Sequence, residues 1–182
     1  IGPMDTFPST PPVVVITAVG RDKPGIIAAL ARAVLDLGGN LDDATMTRLH
    51  GAFATMVVAR LPMGKTEADA RAALAPVAEE MGLTVTVQSV PDAHSETPPD
   101  TLLTVYGADK PGIVHAVASL LAARGINITD MDTRLAGTAE SPVYVMLLEA
   151  VAGDLDLTDD LAGLRRELGV DISARLLDTE AL

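Results

Sequence analysis

Apolar positions recur along this chain in two rhythms, one of strands and one of helices. Residues 13–20 form a β-branched run that ends at Gly20 and reads as a strand. Ile27, Leu30, Val34 and Leu37 then recur at helical spacing, which predicts a helix over 24–38 closed by Gly38-Gly39. Asn40 opens a strand to Leu49, His50-Gly51 turns the chain, and residues 53–61 make a third strand. Ala70, Leu74, Val77 and Met81 are the stripe of a second amphipathic helix, stopped by Gly82. Residues 83–88 alternate strictly, as a strand with one polar face does. The order is βαββαβ.

The same order then returns. Residues 91–100 hold three prolines and no apolar run, so they read as an extended linker. A strand over 102–107 leads to a helix over 111–124 stopped by Gly125, and Ile126-Asn127-Ile128 opens the next strand. Gly137 to Pro142 reads as a longer turn, and Val143 to Val151 as an apolar strand. Leu157, Leu161, Leu164 and Leu168 repeat the second-helix stripe 87 residues on, and residues 170–176 alternate as a last strand. Thr47-Arg48-Leu49 matches Thr133-Arg134-Leu135 at 86 instead, as a strand bulge or a changed turn would produce. The pattern predicts an α+β chain of two ferredoxin-like βαββαβ domains, residues 13–90 and 101–178. Each would be an antiparallel sheet with both helices on one face. Such sheets have edge strands to protect, through which a homodimer would form.

One motif joins first strand to first helix in both halves. Gly20-Arg21-Asp22-Lys23-Pro24-Gly25-Ile26 returns as Gly107-Ala108-Asp109-Lys110-Pro111-Gly112-Ile113. Asp would cap the helix, Pro suits a first turn where its missing N–H costs nothing, and Gly removes a side chain where the backbone turns. Bare amides at such a helix start suit a carboxylate.

Charge and residue usage narrow the function. A net charge of −12, with only 13 Lys plus Arg, argues against direct binding to nucleic acid or to an anionic membrane. Two Phe, two Tyr and no Trp leave no stacking platform for RNA on an open sheet face. No apolar run is long enough to span a membrane, and the N-terminus lacks the apolar segment of a signal peptide. Ile1-Gly2-Pro3, ahead of Met4, is set aside as an appended remnant. With no cysteine there is no disulfide or thiolate site, and a cytoplasmic location is expected. His50, His94 and His115 are scattered, so neither metal nor cofactor is expected. No nucleophile–His–acid arrangement is visible, so the chain is not expected to be an enzyme. Ala59 to Thr66 nearly spells a phosphate-binding loop, but Ala replaces its first Gly and the second half has no equivalent; it reads as a strand-to-helix connection. Asp42-Asp43 and Glu79-Glu80 read as solvated pairs, and Met46, Met56, Met131 and Met146 as core or interface filler in corresponding strands.

The strand, Gly-x-Asp-x-Pro-Gly-Ile, helix and following Gly-x-Asn resemble the ACT domain, a small regulatory module that commonly binds amino acids. Two copies with no catalytic domain resemble the glycine cleavage system transcriptional repressor group. The resemblance implies a non-catalytic sensor of a small amino acid, with ligand near the loop before the first helix and the turn after it, often at a domain–domain interface. It would act on a separate transcriptional regulator by protein contact. The residues it marks are Asp22, Pro24, Gly25, Ile26 and Asn40, and Asp109, Pro111, Gly112, Ile113 and Asn127. Loop amides would take the carboxylate, and the Asp and Asn side chains the ammonium. The copies differ, since His115 stands where Ala28 does and Ile126 where Gly39 does. The alternative is an interaction module without a ligand, or a regulatory subunit of an amino-acid metabolic enzyme.

Overall fold

A computed structural model describes residues 10–91 and 96–177. His94, Ile1-Gly2-Pro3 and the last residue of the second expected domain lie outside them. The chain divides into two compact units, residues 1–94 and 95–182.

The first unit runs β1 (Val13–Arg21), α1 (Ile26–Asp36), β2 (Asn40–Leu49), β3 (Ala52–Arg60), α2 (Glu67–Met81) and β4 (Leu83–Val90). The second runs β5 (Thr101–Ala108), α3 (Ile113–Ala123), β6 (Asn127–Thr138), β7 (Ser141–Val151), α4 (Thr158–Leu168) and β8 (Asp171–Leu176). Each sheet has four antiparallel strands, in the orders β2-β3-β1-β4 and β6-β7-β5-β8. This is the ferredoxin-like arrangement the apolar rhythm predicts.

The alternating positions of the central strands make each core. Val14, Ile16 and Ala18 of β1 and Phe53, Val57 and Ala59 of β3 are buried with Ile26, Leu30 and Val34 of α1 and Leu74 of α2. Leu103, Val105, Met146 and Leu148 do the same with Val117 and Leu121 of α3 and Leu161 and Leu164 of α4. Each of the larger side chains among them, Val, Ile, Leu, Met or Phe, contributes roughly 1.5–3 kcal/mol by leaving water.

The units differ in how the second helix begins. Thr66 caps α2: its hydroxyl accepts from the Asp69 amide, and the Asp69 carboxylate accepts from the Thr66 amide at 2.7 Å. The stretch that nearly spells a phosphate loop is therefore a capped connection. Glu67 then accepts from the amide and hydroxyl of Ser89 at 2.9 and 3.0 Å, latching the first turn to β4. The Ser89 amide, first among these contacts, holds the Glu67 carboxyl below its usual range. α4 starts only at Thr158, so residues 154–157, which match the first turn of α2 at the 87-residue spacing, are not helical. The second unit is fastened elsewhere. Asp100 accepts from the amides of Ala152 and Gly153, each at 2.8 Å, and from the Thr101 hydroxyl. These bonds, the Ala152 amide foremost, lower its pKa.

The hairpins correct two expectations. Thr138 and Ser141 are separated by Ala139-Glu140 alone, so the turn is tight and not a long one over 137–142. The expected 86-residue slip is absent too. Both edge strands carry the same bulge, between Leu41 and Asp43 and between Ile128 and Asp130, so it cannot shift one against the other. Thr47 faces Ala54, and the matching pair in the second unit is Arg134 with Val145. The likeness of Thr133-Arg134-Leu135 to Thr47-Arg48-Leu49 is thus not structural equivalence. Instead the second hairpin is longer by two residues on each strand, so β7 sits 91 residues after β3, as Gly107–Tyr144 against Gly20–Phe53 shows. The methionines do not correspond either: Met146 is fully buried, whereas Met46, Met56 and Met131 are about half exposed.

Candidate functional site

The repeated motif connects β1 to α1 and β5 to α3. Its first glycine is set by packing. A Cβ on Gly20 would lie 2.7 Å from Leu83 Cδ2 and 2.9 Å from the Gly82 carbonyl, and one on Gly107 would lie 2.8 Å from Val170 Cγ1. Its second glycine is set by the backbone. Gly25 and Gly112 precede their helices with φ of 93° and 91°, a left-handed conformation that side chains resist.

That geometry overturns the expected cap. Neither Asp22 nor Asp109 caps a helix; both α1 and α3 begin after a left-handed glycine with no side-chain bond to their first amides. The helices are correspondingly shorter than the 24–38 and 111–124 expected, and Pro24 and Pro111 sit in the turn before the first helical residue. Pro24, Gly25, Pro111 and Gly112 are exposed, while Ile26 and Ile113 are 2 % exposed and anchor their helices in the cores.

Asp22 is occupied. Its amide donates to the Gly51 carbonyl at 3.0 Å and its carboxylate accepts from Arg48 Nη1 at 3.3 Å. Asp109 is exposed and has no ion-pair partner among the described residues. The register explains the difference. Arg48 faces Phe53, and the position facing the equivalent Tyr144 is Leu135, which brings no charge. Lys110 turns away from its neighbour Asp109 far enough for its Nζ to donate to the Leu168 carbonyl at 3.1 Å.

Asn40 and Asn127 are not brought to these loops. Asn40 faces Arg60, which faces Val13, whereas the loop leaves β1 at Arg21 beside Ala52. Eight residue steps along β1 separate the two levels, roughly 26 Å. Asn127 likewise faces Val151 at the far end of its sheet. Neither takes positive φ; among non-glycine described residues only His50 does, at 49°, in the tight β2–β3 hairpin. Asn40 Nδ2 donates to Asp42 Oδ1 at 3.1 Å, and Asp42 also pairs with Arg60 at 3.0 Å. Asp42 is therefore half of an ion pair and not merely solvated.

At the second loop a recess of about 470 Å³ is lined by Lys110, Gly112, Ile113, Val114, His115 and Tyr144. His115 is visible as a candidate in the sequence; Tyr144, Lys110 and Arg48 are not. Tyr144 hides because its counterpart Phe53 lies 91 residues away and not 87. Among the described residues no group of three or more His, Asp or Glu side chains is placed to hold a metal ion. No described helix is long and apolar enough to cross a membrane.

Comparison with known proteins agrees with the two-domain fold. The ACT domain family matches residues 13–88 and again residues 101–166. A UPF0237 protein of Streptococcus mutans is 32% identical over 75 residues, covering 41% of this chain and 85% of that protein. The glycine cleavage system transcriptional repressor of Escherichia coli is 25% identical over 132 residues, 66% of this chain and 63% of that protein. Among solved structures, a protein of unknown function from Galdieria sulphuraria superposes with a TM-score of 0.77 at 25% identity, covering 92% of this chain and 99% of that one.

Proposed function

This chain belongs to the ACT domain family, in two tandem copies, and from that premise we propose that it is a non-catalytic regulatory protein that senses an amino acid. The observation that carries the reading is the loop ahead of α1 and α3: an exposed turn through a left-handed glycine, built twice with the same backbone. Its uncapped amides can donate hydrogen bonds to a carboxylate, and its aspartates can accept them from an ammonium. Asn40 and Asn127, at the other end of each sheet, do not share a ligand with the loop of their own unit.

The likeness to a transcriptional repressor supports an output on transcription. With 13 cationic residues against 25 acidic ones, that output would run through a separate protein regulator and not through DNA itself. Ligand would act by differential affinity for two states of the protein, the only way binding shifts a conformational equilibrium. A cytoplasmic site of action goes with this role.

The test is thermal unfolding against a panel of common amino acids. A ligand specific for the folded state, at a hundred times its Kd, should add about 2.7 kcal/mol. A response to one amino acid that Asp22→Ala or Asp109→Ala removes supports the sensor. No response to any of them favours the second reading, a ligand-free interaction module or a regulatory subunit of a metabolic enzyme. That reading has its own support: β2 and β6 are edge strands that leave Leu49 69 % and Leu135 66 % exposed, surface suited to a protein partner or a second copy.

A further inference from the structure

Three differences between the units converge on one place. Tyr144 replaces Phe53 at the same register beside the motif's first glycine. His115 replaces Ala28 in the first turn of the helix. Leu135 replaces Arg48, so Asp109 keeps a free carboxylate where Asp22 is paired. And Lys110, His115 and Tyr144 line a common recess.

The polar atoms there are incompletely used. Among the described residues the Tyr144 hydroxyl has only the Met146 sulfur, at 4.0 Å, a weak acceptor. His115 Nδ1 is 3.5 Å from the Ser119 hydroxyl, which leaves Nε2 for another partner. Lys110 gives one of its three donors to Leu168. In the first unit the matching aromatic is a buried phenylalanine, 2 % exposed, with no polar atom to offer.

Resting on the amino-acid-sensing reading, we infer that the recess of Lys110, His115 and Tyr144 in the second unit holds the ligand, and the matching place in the first does not. The ligand is an amino acid whose side chain ends in an oxygen acceptor, of the aspartate, asparagine or serine class. An aliphatic side chain would strip water from Tyr144 and His115 and return no hydrogen bond, a loss that polar sites use to reject analogues. The first unit keeps the fold of the site without its chemistry.

Isothermal titration of the full chain with aspartate, asparagine and serine, against leucine and valine, tests this. Tyr144→Phe and His115→Ala install the residues that the first unit already carries at these places, so both variants should fold; thermal unfolding checks that they do. The expected result is binding of at least one polar amino acid roughly tenfold or more tighter than the aliphatic ones. Each substitution should weaken it about tenfold, the equivalent of 1.4 kcal/mol, and Asp22→Ala should leave it unchanged. Binding that survives both substitutions, or that Asp22→Ala abolishes, or that prefers leucine or valine, overturns the assignment while leaving amino-acid sensing intact. No heat and no thermal shift with any of the five at about 10 mM, ten times a millimolar Kd, removes the sensing reading and this inference with it.

Discussion

The carboxylate of Asp22 already holds the guanidinium of Arg48, while that of Asp109 faces solvent; the two loops around them share one backbone. The left-handed glycine, the close approach of β1 to β4 or of β5 to β8, and the bulge in the edge strand are kept in both units. The side chains that meet the loop from the neighbouring strands are not. A duplicated fold conserves what its backbone needs and is free elsewhere, so equal architecture is no measure of equal chemistry.

The comparison can be broken at several depths. The cores should be interchangeable in energy: Leu74→Ala and Leu161→Ala, at positions 1 % and 3 % exposed, should each cost about 2–5 kcal/mol in urea unfolding. A large inequality would mean that the units are not built alike. Next, Asp100→Asn should destabilise the second unit by about 1–3 kcal/mol, since two backbone amides lose a charged acceptor. The sign of its pH dependence follows from the direction of its shift. Because the folded pKa is lowered, the stabilisation is complete above the unfolded value of about 3.9 and fades as pH falls below it, through the folded pKa. Acid unfolding followed by circular dichroism should show that loss in the wild type and less of it in Asp100→Asn.

Gly25→Ala and Gly112→Ala should each cost about 1–2 kcal/mol, the penalty of a left-handed residue with a Cβ, and by similar amounts because the two φ values nearly coincide. Calorimetry of the two variants measures this. The smallest effect belongs to Arg48→Leu, which gives the first loop the neighbour that the second has. Its side chain is 69 % exposed, so stability should change by less than about 1 kcal/mol. Titration should show no new amino-acid site, because Phe53 still offers no hydrogen bond.

Much of the fold is legible in the chain because it rests on apolar spacing. The stripe Ala70, Leu74, Val77 and Met81 and its repeat at Leu161, Leu164 and Leu168 announce both second helices, although Leu157, expected in the same stripe, lies just ahead of α4. The helix start is less so. An aspartate ahead of a helix reads as a cap by propensity, yet the intervening glycine turns the chain left-handed and sends that carboxylate elsewhere. The candidate site is harder still. Asp22 and Arg48 meet across 26 residues, and Phe53 and Tyr144 become equivalent only once the longer second hairpin is known. Sequence offers Asn40 as a neighbour of the loop because both flank α1, but an 11-residue helix and the strand after it carry the chain to the opposite end of the sheet.

The pairing of first and last strands in each unit bears on modularity. Val13 lies opposite Val90, and Thr101 opposite Leu176, so each unit's chain enters and leaves at one end of its own sheet, on adjacent strands. A unit whose ends meet can be duplicated in tandem, permuted or inserted into another protein with only a short tether and no break in its own sheet. The same wiring places tether and loop at opposite ends of β1 and β5. An event at the loop is thus a full strand length away from the tether, roughly 26 Å in the first unit.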